Sequence, residues 1–518
     1  MSAPTTAVYD RLRALVAIDD PAARDAKPVV EVFTGKQLTT IPTGTAEDVA
    51  TAFQRARTAQ TEWAGRSIDE RTKIFAKFHD LVLAHKEEIM DVVQAETGKA
   101  RRNAQEEVID LMLNSRYYVK QAKSLLSPYK EQGLIPGLTK ALVRRVPKGV
   151  VGLIAPWNYP LAMSVSDAVP ALIAGNAVVV KPDSQTPFST LIAAELLYAA
   201  GVPRALFAVV PGPGSVVGQA IVEHADFLMF TGSTATGRKL AQQCGARLIG
   251  MSAELGGKNP MIVTKDANLG TVAKAATRAA FANAGQLCIS IERVYVEDAA
   301  YDEFVEKFAD ATRNMALGAS YDFNFDTGSL ISGDQLKTVS GHVDDARAKG
   351  ATVVAGGNPR PDLGPSFYEP TILTGVTDEM VCARNETFGP VVSIYRVANV
   401  EEAIAKANDS EYGLNASVWA GSDSEGEAIA ARVRTGSVNV GEGYISSYGS
   451  TAAPMGGVGA SGLGRRHGSE GILKYTESQT IATQHVTPLD PRLGIPERLW
   501  AQTFVPLVRA VQVLPWRK

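Results

Sequence analysis

Cysteine and histidine are scarce in this chain. Its 518 residues include six scattered histidines and three cysteines, which are Cys244, Cys288 and Cys382. An odd number of widely separated cysteines argues against a disulfide framework and fits a reducing compartment. Because no cysteine or histidine pair has the spacing of zinc ligands, we expect no metal site.

Long apolar runs and a strong excess of charge are also missing. The formal net charge of −3 gives no electrostatic reason to expect a nucleic-acid partner. No uncharged run reaches the length of a membrane span, and Asp10, Arg11 and Arg13 interrupt the segment where a signal peptide would need an apolar core. We therefore expect a cytoplasmic protein that is long enough for two or three domains.

The N-terminal quarter has a mostly helical pattern. A short helix is predicted near residues 8–16, followed by irregular chain up to residue 40. Longer helices are predicted over residues 46–65, 68–97 and 106–126. Gly98 is placed to end the second of these as a C-cap.

From residue 149 onward, short apolar runs alternate with helical patterns. The strands predicted first are residues 149–155, 176–180, 206–210, 227–230 and 247–251. Helix-like segments follow the first four, which is typical of parallel βαβ winding. A second α/β region runs from about residue 258 to 440, and a glycine-rich loop covers residues 454–462. Because ligands of parallel sheets bind beyond the carboxyl ends of the strands, we expect the chemistry there.

The ends of the first two strands carry candidate residues. The carboxamide of Asn158 could donate a hydrogen bond to an oxyanion, although Asn is equally suited to a helix N-cap. Lys181 and Ser184 follow the second strand, where dinucleotide folds contact the ribose, although a solvated loop lysine is the commoner case. Since Ser184 carries no negative charge and Lys181 carries a positive one, this end favours NADP over NAD, even with Asp183 close by.

Two later turns carry further candidates. Gly232 and Ser233 stand between a strand and the start of a helix, an arrangement that can bind a pyrophosphate through backbone N–H groups. Their glycine spacing is not the dinucleotide fingerprint, so this signal alone is weak. Glu254 follows an apolar strand and is a candidate general base for water, with a salt bridge to Lys258 as the alternative.

Cys288 lies among small residues that leave room for a substrate carbonyl, including Ala284 and Gly285. Alone, such a cysteine is more often an inert core thiol. Further along, Glu386 and Phe388 in a turn could bind ribose hydroxyls and pack on a flat ring, although a simple loop carboxylate would be the default.

Together, these segments resemble the aldehyde dehydrogenase superfamily over about residues 35–485. The motifs that carry the resemblance are Pro156-Trp157-Asn158, Phe230–Gly237, Glu254–Lys258, Gly285–Cys288, Glu386–Pro390, Tyr412–Asn415, Gly436–Asn439 and Pro454–Gly457. Within the superfamily, the chain is most similar to the actinobacterial-type NADP-dependent succinate-semialdehyde dehydrogenases.

The resemblance implies an α/β fold with a Rossmann-type parallel-sheet cofactor domain, an α/β catalytic domain and a small β oligomerisation arm. The expected segments are 1–130 and 147–257 for the cofactor domain, 258–440 for the catalytic domain, 131–146 and 474–490 for the arm, 441–473 for an interdomain loop region and 491–518 for an amphipathic tail. The pattern of the arm itself predicts two strand pieces around a turn at Pro136-Gly137 and a further strand over residues 476–485. A homodimer or homotetramer is implied as well.

The resemblance also implies roles for the candidate residues. Cys288 would be the nucleophile that attacks an aldehyde, and Asn158 with the backbone N–H of Cys288 would hold the oxyanion. Glu254 would activate the water that releases the acid. The residues expected to contact the cofactor, NADP with NAD as the alternative, are Trp157, Asn158, Lys181, Ser184, Gly232, Ser233, Leu255, Glu386 and Phe388.

One departure from the family pattern concerns the substrate. Ser166 and Ala282 stand where well-studied succinate-semialdehyde dehydrogenases carry arginines for the substrate carboxylate. A dehydrogenase for medium-chain or aromatic aldehydes is therefore an alternative, and an inactive homologue with a binding or structural role is a remote one. Ser290 replaces a second cysteine that some relatives carry, which excludes a local disulfide switch.

The C-terminal tail is rich in large apolar residues, among them Leu499, Trp500 and Phe504. Pro506 and Arg509 argue against a membrane span. We expect the tail to pack on the protein's own surface or on a second subunit, with peripheral contact to a membrane as the alternative.

Overall fold

The computed structural model describes residues 3–134, 139–485 and 494–512. Its strands are β1 (Ala26–Val30), β2 (Gln37–Pro42), β3 (Tyr129–Gln132), β4 (Thr139–Pro147), β5 (Val150–Ile154), β6 (Ala177–Lys181), β7 (Phe207–Val209), β8 (Phe227–Thr231), β9 (Gly250–Glu254), β10 (Asn259–Val263), β11 (Ile291–Glu297), β12 (Thr352–Ala355), β13 (Thr371–Thr374), β14 (Val391–Val397), β15 (Asn415–Trp419), β16 (Ser437–Val440), β17 (Gly462–Leu463) and β18 (Thr476–Gln484).

Its α-helices are α1 (Thr6–Arg13), α2 (Ala46–Gly65), α3 (Ile68–Ala84), α4 (Lys86–Thr97), α5 (Arg101–Leu126), α6 (Pro160–Val165), α7 (Ala168–Ile173), α8 (Pro187–Ala200), α9 (Gln219–His224), α10 (Thr234–Ala246), α11 (Leu269–Phe281), α12 (Asp298–Arg313), α13 (Gly333–Ala348), α14 (Val381–Arg384), α15 (Val400–Asn408), α16 (Asp423–Ala430), α17 (Ile445–Gly449), α18 (Gly468–Leu473) and α19 (Glu497–Gln512). The predicted turn at Pro136-Gly137 lies outside the described residues.

A six-stranded sheet has the order β17-β9-β8-β5-β6-β7, and its strands are parallel except for β17. The strands β5, β6 and β8 are buried almost throughout because helices cover both faces, which explains their unbroken apolar sequences. From β5 the chain passes to β6 on one side and later to β8 on the other. The carboxyl ends of β5 and β8 therefore border a crevice of the kind in which open α/β sheets bind ligands.

A seven-stranded sheet has the order β12-β13-β14-β11-β10-β15-β16, and only β12 runs antiparallel to its neighbour. The amino ends of its central strands β10, β11 and β14 follow directly on the segments that hold Glu254, Cys288 and Glu386. The amino edge of the seven-stranded sheet therefore forms one side of the site, and the carboxyl edge of the six-stranded sheet forms the other. The predicted domain bounds themselves stay a prediction.

A separate three-stranded antiparallel sheet has the order β18-β4-β3. The strand predicted over residues 476–485 is confirmed as β18, and the two predicted strand pieces are β3 and β4. All residues of β3 and all but the first of β18 are exposed. Its use as an oligomerisation arm stays a prediction.

Three local predictions are wrong. Residues 26–42 form the antiparallel hairpin of β1 and β2 rather than irregular chain. The helix predicted over residues 68–97 divides at His85, whose ψ of 14° departs from helical values. The strand predicted at residues 247–251 is β9, three residues further on, because α10 extends to Ala246 and Leu248 turns the chain with a φ of 58°.

The tail forms α19, and two of its apolar residues are largely uncovered. Leu499 is 52% exposed and Val505 is 68% exposed. The expected packing on the protein's own surface is therefore not seen for these two residues. None of the helices in the described ranges combines the length and the apolar character needed to cross a membrane.

Candidate active site

A cleft with about 990 Å³ of empty space, part of it open to solvent, lies between the carboxyl edge of the six-stranded sheet and the amino edge of the seven-stranded sheet. Its lining includes nine of the predicted site residues, which are Trp157, Asn158, Gly232, Ser233, Glu254, Leu255, Cys288, Glu386 and Phe388. Lys181 and Ser184 do not line it but stand at and just beyond the end of the neighbouring strand β6.

The loop before Cys288 is held in an uncommon backbone conformation. Asn283, Ala284 and Gly285 have φ values of 51°, 53° and 70°, which only glycine adopts without strain. A Cβ atom on Gly285 would lie 2.0 Å from the carbonyl oxygen of Gly389, so glycine is required there. The surrounding contacts maintain this strained loop conformation, and the loop in turn fixes the position of Cys288.

The Cys288 thiol is partly exposed to the cleft and free of any disulfide. Burial raises its pKa to about 12, and the nearby carboxyl groups of Glu254 and Glu386 add to this effect, while Arg466 opposes it. The backbone on its far side is anchored, since Asn259 Nδ2 donates to the carbonyl oxygen of Cys288 over 2.8 Å. At neutral pH the thiol therefore keeps its proton until a base removes it.

Asn158 points its side chain at the same loop. Its Nδ2 donates to the carbonyl oxygen of Gln286 over 3.0 Å, two residues before the thiol. An amide nitrogen carries two protons, so one remains for another acceptor in the cleft. The N-cap interpretation is wrong, because Tyr159 is the N-cap of α6 and no side chain caps that helix.

A buried ion pair fixes the backbone around Asn158. Lys99 Nζ donates to Glu107 Oε1 over 2.5 Å and to the carbonyl oxygen of Asn158 over 2.7 Å. Glu107 Oε2 in turn accepts the N–H groups of Leu161 and Ala162, the first free donors of α6. Neither charged residue could be recognised as buried from the sequence, because Lys99 follows the Gly98 C-cap and Glu107 stands in a helical pattern beside another glutamate.

Glu254 is the last residue of β9, and its side chain is 3% exposed. Its Oε1 has no hydrogen-bond partner among the described residues. Burial raises the pKa of Glu254 to about 7, against the opposing charges of Arg466 and Lys474. The predicted alternative, a salt bridge to Lys258, is wrong, because Lys258 Nζ binds Glu292 Oε2 over 2.5 Å.

Hydrogen bonds to two neighbouring segments fix the turn that holds Glu386 and Phe388. Glu292 Oε1 accepts the backbone N–H of Phe388 over 3.0 Å, which stabilises the φ of 50° at this residue. Glu386 Oε1 accepts the N–H of Gly257 over 2.8 Å, and a Cβ on Gly256 would lie 2.4 Å from Glu386 Oε2. The Phe388 ring meets Trp157 edge to face, with centroids 5.4 Å apart.

The start of α10 offers free backbone donors. Gly232 and Ser233 precede the helix, the Ser233 hydroxyl caps the N–H of Thr236, and the first turn holds no acidic residue. The Lys181 Nζ is buried and donates to the carbonyl oxygen of Pro182 over 2.7 Å. Ser184 donates its hydroxyl to the carbonyl oxygen of Gly212.

Arg466 is the cleft residue that sequence reasoning missed most clearly. It follows the glycine-rich loop, which has no periodic pattern. Its ion-pair partner Asp167 lies 299 positions earlier in the sequence. A charged residue between another arginine and a histidine gave no signal of burial, yet its side chain is only 4% exposed.

The sequence model of the family described as "Aldehyde dehydrogenase family" matches residues 20–481 of this chain. The chain belongs to the aldehyde dehydrogenase family, whose members oxidise aldehydes, and it has the α/β fold of that family.

Two curated relatives match over the full length of both chains. The "Putative succinate-semialdehyde dehydrogenase (NADP+)" of Mycolicibacterium smegmatis is 69% identical, and the "Putative succinate-semialdehyde dehydrogenase (NADP+) 2" of Mycobacterium tuberculosis is 64% identical. Among solved structures, an NAD+ complex of an aldehyde dehydrogenase from Bacillus cereus is 33% identical with a TM-score of 0.85, over 89% of this chain and 93% of that chain.

Proposed function

We propose that this enzyme oxidises succinate semialdehyde to succinate with NADP+ as the electron acceptor. The aldehyde chemistry follows from the family, and the substrate and cofactor are inferred from the names of full-length relatives such as these two. The observation that carries the proposal is the convergence of Asn158, Glu254 and Cys288 on one cleft from three separate segments of the chain.

Cys288 is the nucleophile in this proposal. Once its proton has passed to solvent through the open cleft, the sulfur attacks the aldehyde carbon and forms a thiohemiacetal oxyanion. The second Nδ2 proton of Asn158 and the backbone N–H of Cys288 stabilise that negative charge. The Lys99–Glu107 pair keeps Asn158 in place, so the donor is oriented before the substrate binds.

The remaining cleft residues fit a dinucleotide. Gly232 and Gly256 have no side chain, and a Cβ atom at these positions would collide with Phe230 and Glu386, respectively. The start of α10 supplies backbone N–H donors for phosphate oxygens. Glu386 would bind ribose hydroxyls, and Phe388 with Trp157 would pack beside the nicotinamide end. When bound, NADP+ would supply the hydride acceptor, and loss of hydride from the thiohemiacetal carbon would leave Cys288 acylated as a thioester.

Glu254 completes the turnover. Because its pKa is raised to about 7, Glu254 is ionised in part of the molecules at neutral pH and can take a proton from water. The hydroxide adds to the thioester carbon, the carbon–sulfur bond breaks, and the carboxylic acid leaves with the Cys288 thiolate restored.

The preference for NADP+ is attributed to the end of β6. Ser184 carries no negative charge that would repel a 2′-phosphate. Burial lowers the pKa of Lys181, Asp183 opposes this effect, and Lys27 is near enough to add a smaller lowering. We expect Ser184→Glu to shift the kcat/KM ratio towards NAD+, because a carboxylate repels the 2′-phosphate and binds the free hydroxyl. Ser184→Ala is the matched control and should keep the NADP+ preference; an unchanged ratio in Ser184→Glu would assign the phosphate to other residues.

We propose a cytoplasmic homodimer or homotetramer that assembles through the β18-β4-β3 sheet. The nine-residue strand β18 is an exposed edge, and Ile481 in it is 42% exposed. Long exposed edges pair with other chains unless they are blocked. Ile481→Lys should lower the mass measured by light scattering, whereas an unchanged mass would place the contact elsewhere.

The testing experiment is a panel of aldehydes measured with NADP+ and NAD+. The proposal expects the highest kcat/KM for succinate semialdehyde with NADP+. A higher value for an uncharged medium-chain or aromatic aldehyde would support the alternative substrate class, which the apolar lining by Met163, Leu287, Ile289 and Met455 favours. Turnover of no aldehyde at all would indicate an inactive homologue.

A further inference from the structure

The substrate of the proposed function carries a second charge that the cleft has to accommodate. Moving a carboxylate out of water without a partner costs several kcal/mol. The two positions that hold arginines in well-studied relatives supply no cation here. Ser166 donates its hydroxyl to Asp110 Oδ2 over 2.5 Å, and Ala282 is a buried apolar residue.

Arg466 is the one cationic side chain on the cleft wall within residues 3–134, 139–485 and 494–512. Two of its nitrogens face Asp167, with Nε 3.2 Å from Oδ1 and Nη2 3.1 Å from Oδ2. The third, Nη1, donates over 2.8 Å to the thioether sulfur of Met163, which also lines the cleft. A thioether is a weak acceptor, and Nη2 makes no well-aligned hydrogen bond to the described residues despite its distance to Asp167, so the guanidinium keeps unused donor capacity.

We propose that Arg466 Nη1 binds the distal carboxylate of the substrate and that Met163 moves aside to admit it. This inference rests on the proposed function and names the residue that selects its substrate. An N–H donated by a guanidinium to a carboxylate is stronger than the same donor on sulfur. Met163 can yield because its side chain is unbranched and turns about three bonds.

The charges around Arg466 are compatible with one more anion. Lys474 Nζ lies 3.8 Å from Asp167 Oδ1 as a second basic group beside this carboxylate, although burial lowers the pKa of Lys474. Glu254 and Asp110 also face Arg466, and burial raises the pKa of both carboxyl groups. Burial lowers the pKa of His467 to about 3, so this ring adds no charge. The surroundings therefore leave Arg466 attractive to a substrate carboxylate.

The test compares succinate semialdehyde with butanal, which has the same chain length and no carboxylate. Arg466→Gln should lower kcat/KM for succinate semialdehyde by roughly 10- to 100-fold more than for butanal, mostly through KM, because loss of the charge that opposes the raised pKa of Glu254 acts on both aldehydes alike. The double variant Arg466→Gln/Asp167→Asn removes both charges of the pair, so it avoids a buried unpaired carboxylate and should show the same selective loss.

Arg278→Gln is the matched control. Arg278 is about half exposed, pairs with Glu106 over 2.8 Å and does not line the cleft, so this variant should keep the wild-type ratio between the two aldehydes. Calorimetric titration of the variants with succinate provides a readout without turnover, and Arg466→Gln should bind succinate roughly 10- to 100-fold more weakly.

The outcomes separate the inference from the proposed function. If the wild type does not prefer succinate semialdehyde over butanal, the proposed substrate is wrong. If it does, but Arg466→Gln and the double variant lose both aldehydes equally, or Arg278→Gln shows the selective loss, Arg466 is not the carboxylate partner. A selective loss in both Arg466 variants, with weaker succinate binding, supports the inference.

Discussion

Replacing Glu254 by Gln should separate the two halves of the reaction. The change keeps the size of the side chain and removes its ability to accept a proton. Since Glu254 is assigned only to the water step, the first hydride transfer should proceed and the acylated enzyme should accumulate. The variant should therefore produce about one NADPH per active site rapidly and then turn over slowly.

The loss of the base and the pH dependence of the water step each have an expected size. A positioned general base is worth about 100- to 10,000-fold in rate, so the slow phase should fall by that factor. Because the pKa of Glu254 is raised to about 7, roughly a tenth of the side chains are ionised at pH 6 and roughly nine tenths at pH 8. The wild-type water step should accordingly speed up about tenfold between these two pH values.

Stopped-flow absorbance of NADPH measures both phases across this pH range. The burst amplitude gives the acylation step, and the later slope gives the release of the acid. Glu254→Asp serves as the control, since a shorter carboxylate should keep part of the pH dependence. Loss of the burst in Glu254→Gln, or a slow phase that still rises with pH as in the wild type, would contradict the assignment of this base.

Two further changes test the framework of the site by thermal unfolding. Gly285→Ala should destabilise the fold by more than about 3 kcal/mol, because the added Cβ would meet the carbonyl oxygen of Gly389, whereas Gly333→Ala, with no atom in the way, should stay within about 0.5 kcal/mol. Lys99→Met should cost about 3–5 kcal/mol, since it leaves the Glu107 carboxylate buried without its ion-pair partner. Unchanged melting temperatures would refute either argument, and in the second case Lys99→Met/Glu107→Gln should recover part of the loss.

The site could be located from sequence to the extent that its residues follow strand ends. Asn158 comes just after β5, Gly232 directly after β8, and Glu254 ends β9, so the rule for parallel sheets placed all three on one edge. Cys288 and Glu386 lie at the amino ends of strands in the other sheet, where that rule gives no guidance. Their place in the same cleft was expected only from the family resemblance.

The parts that sequence did not reveal depend on contacts between distant segments. The register of β9 is set by its pairing with β8, which places Glu254 opposite Thr231, whereas the local apolar pattern favoured a strand three residues earlier. Arg466 and Lys99 are buried charges whose partners are themselves unremarkable in the sequence. Burial of a charge is decided by what packs over it, and a single sequence does not contain that information locally.

The most direct measurement of the central claim is the mass of the peptide that contains Cys288 after brief reaction of Glu254→Gln with succinate semialdehyde and NADP+. We predict a succinyl group on this cysteine, present only when NADP+ is added and absent in a variant that also carries Cys288→Ala. An unmodified Cys288 peptide during steady turnover, or a succinyl group on another residue, would contradict it.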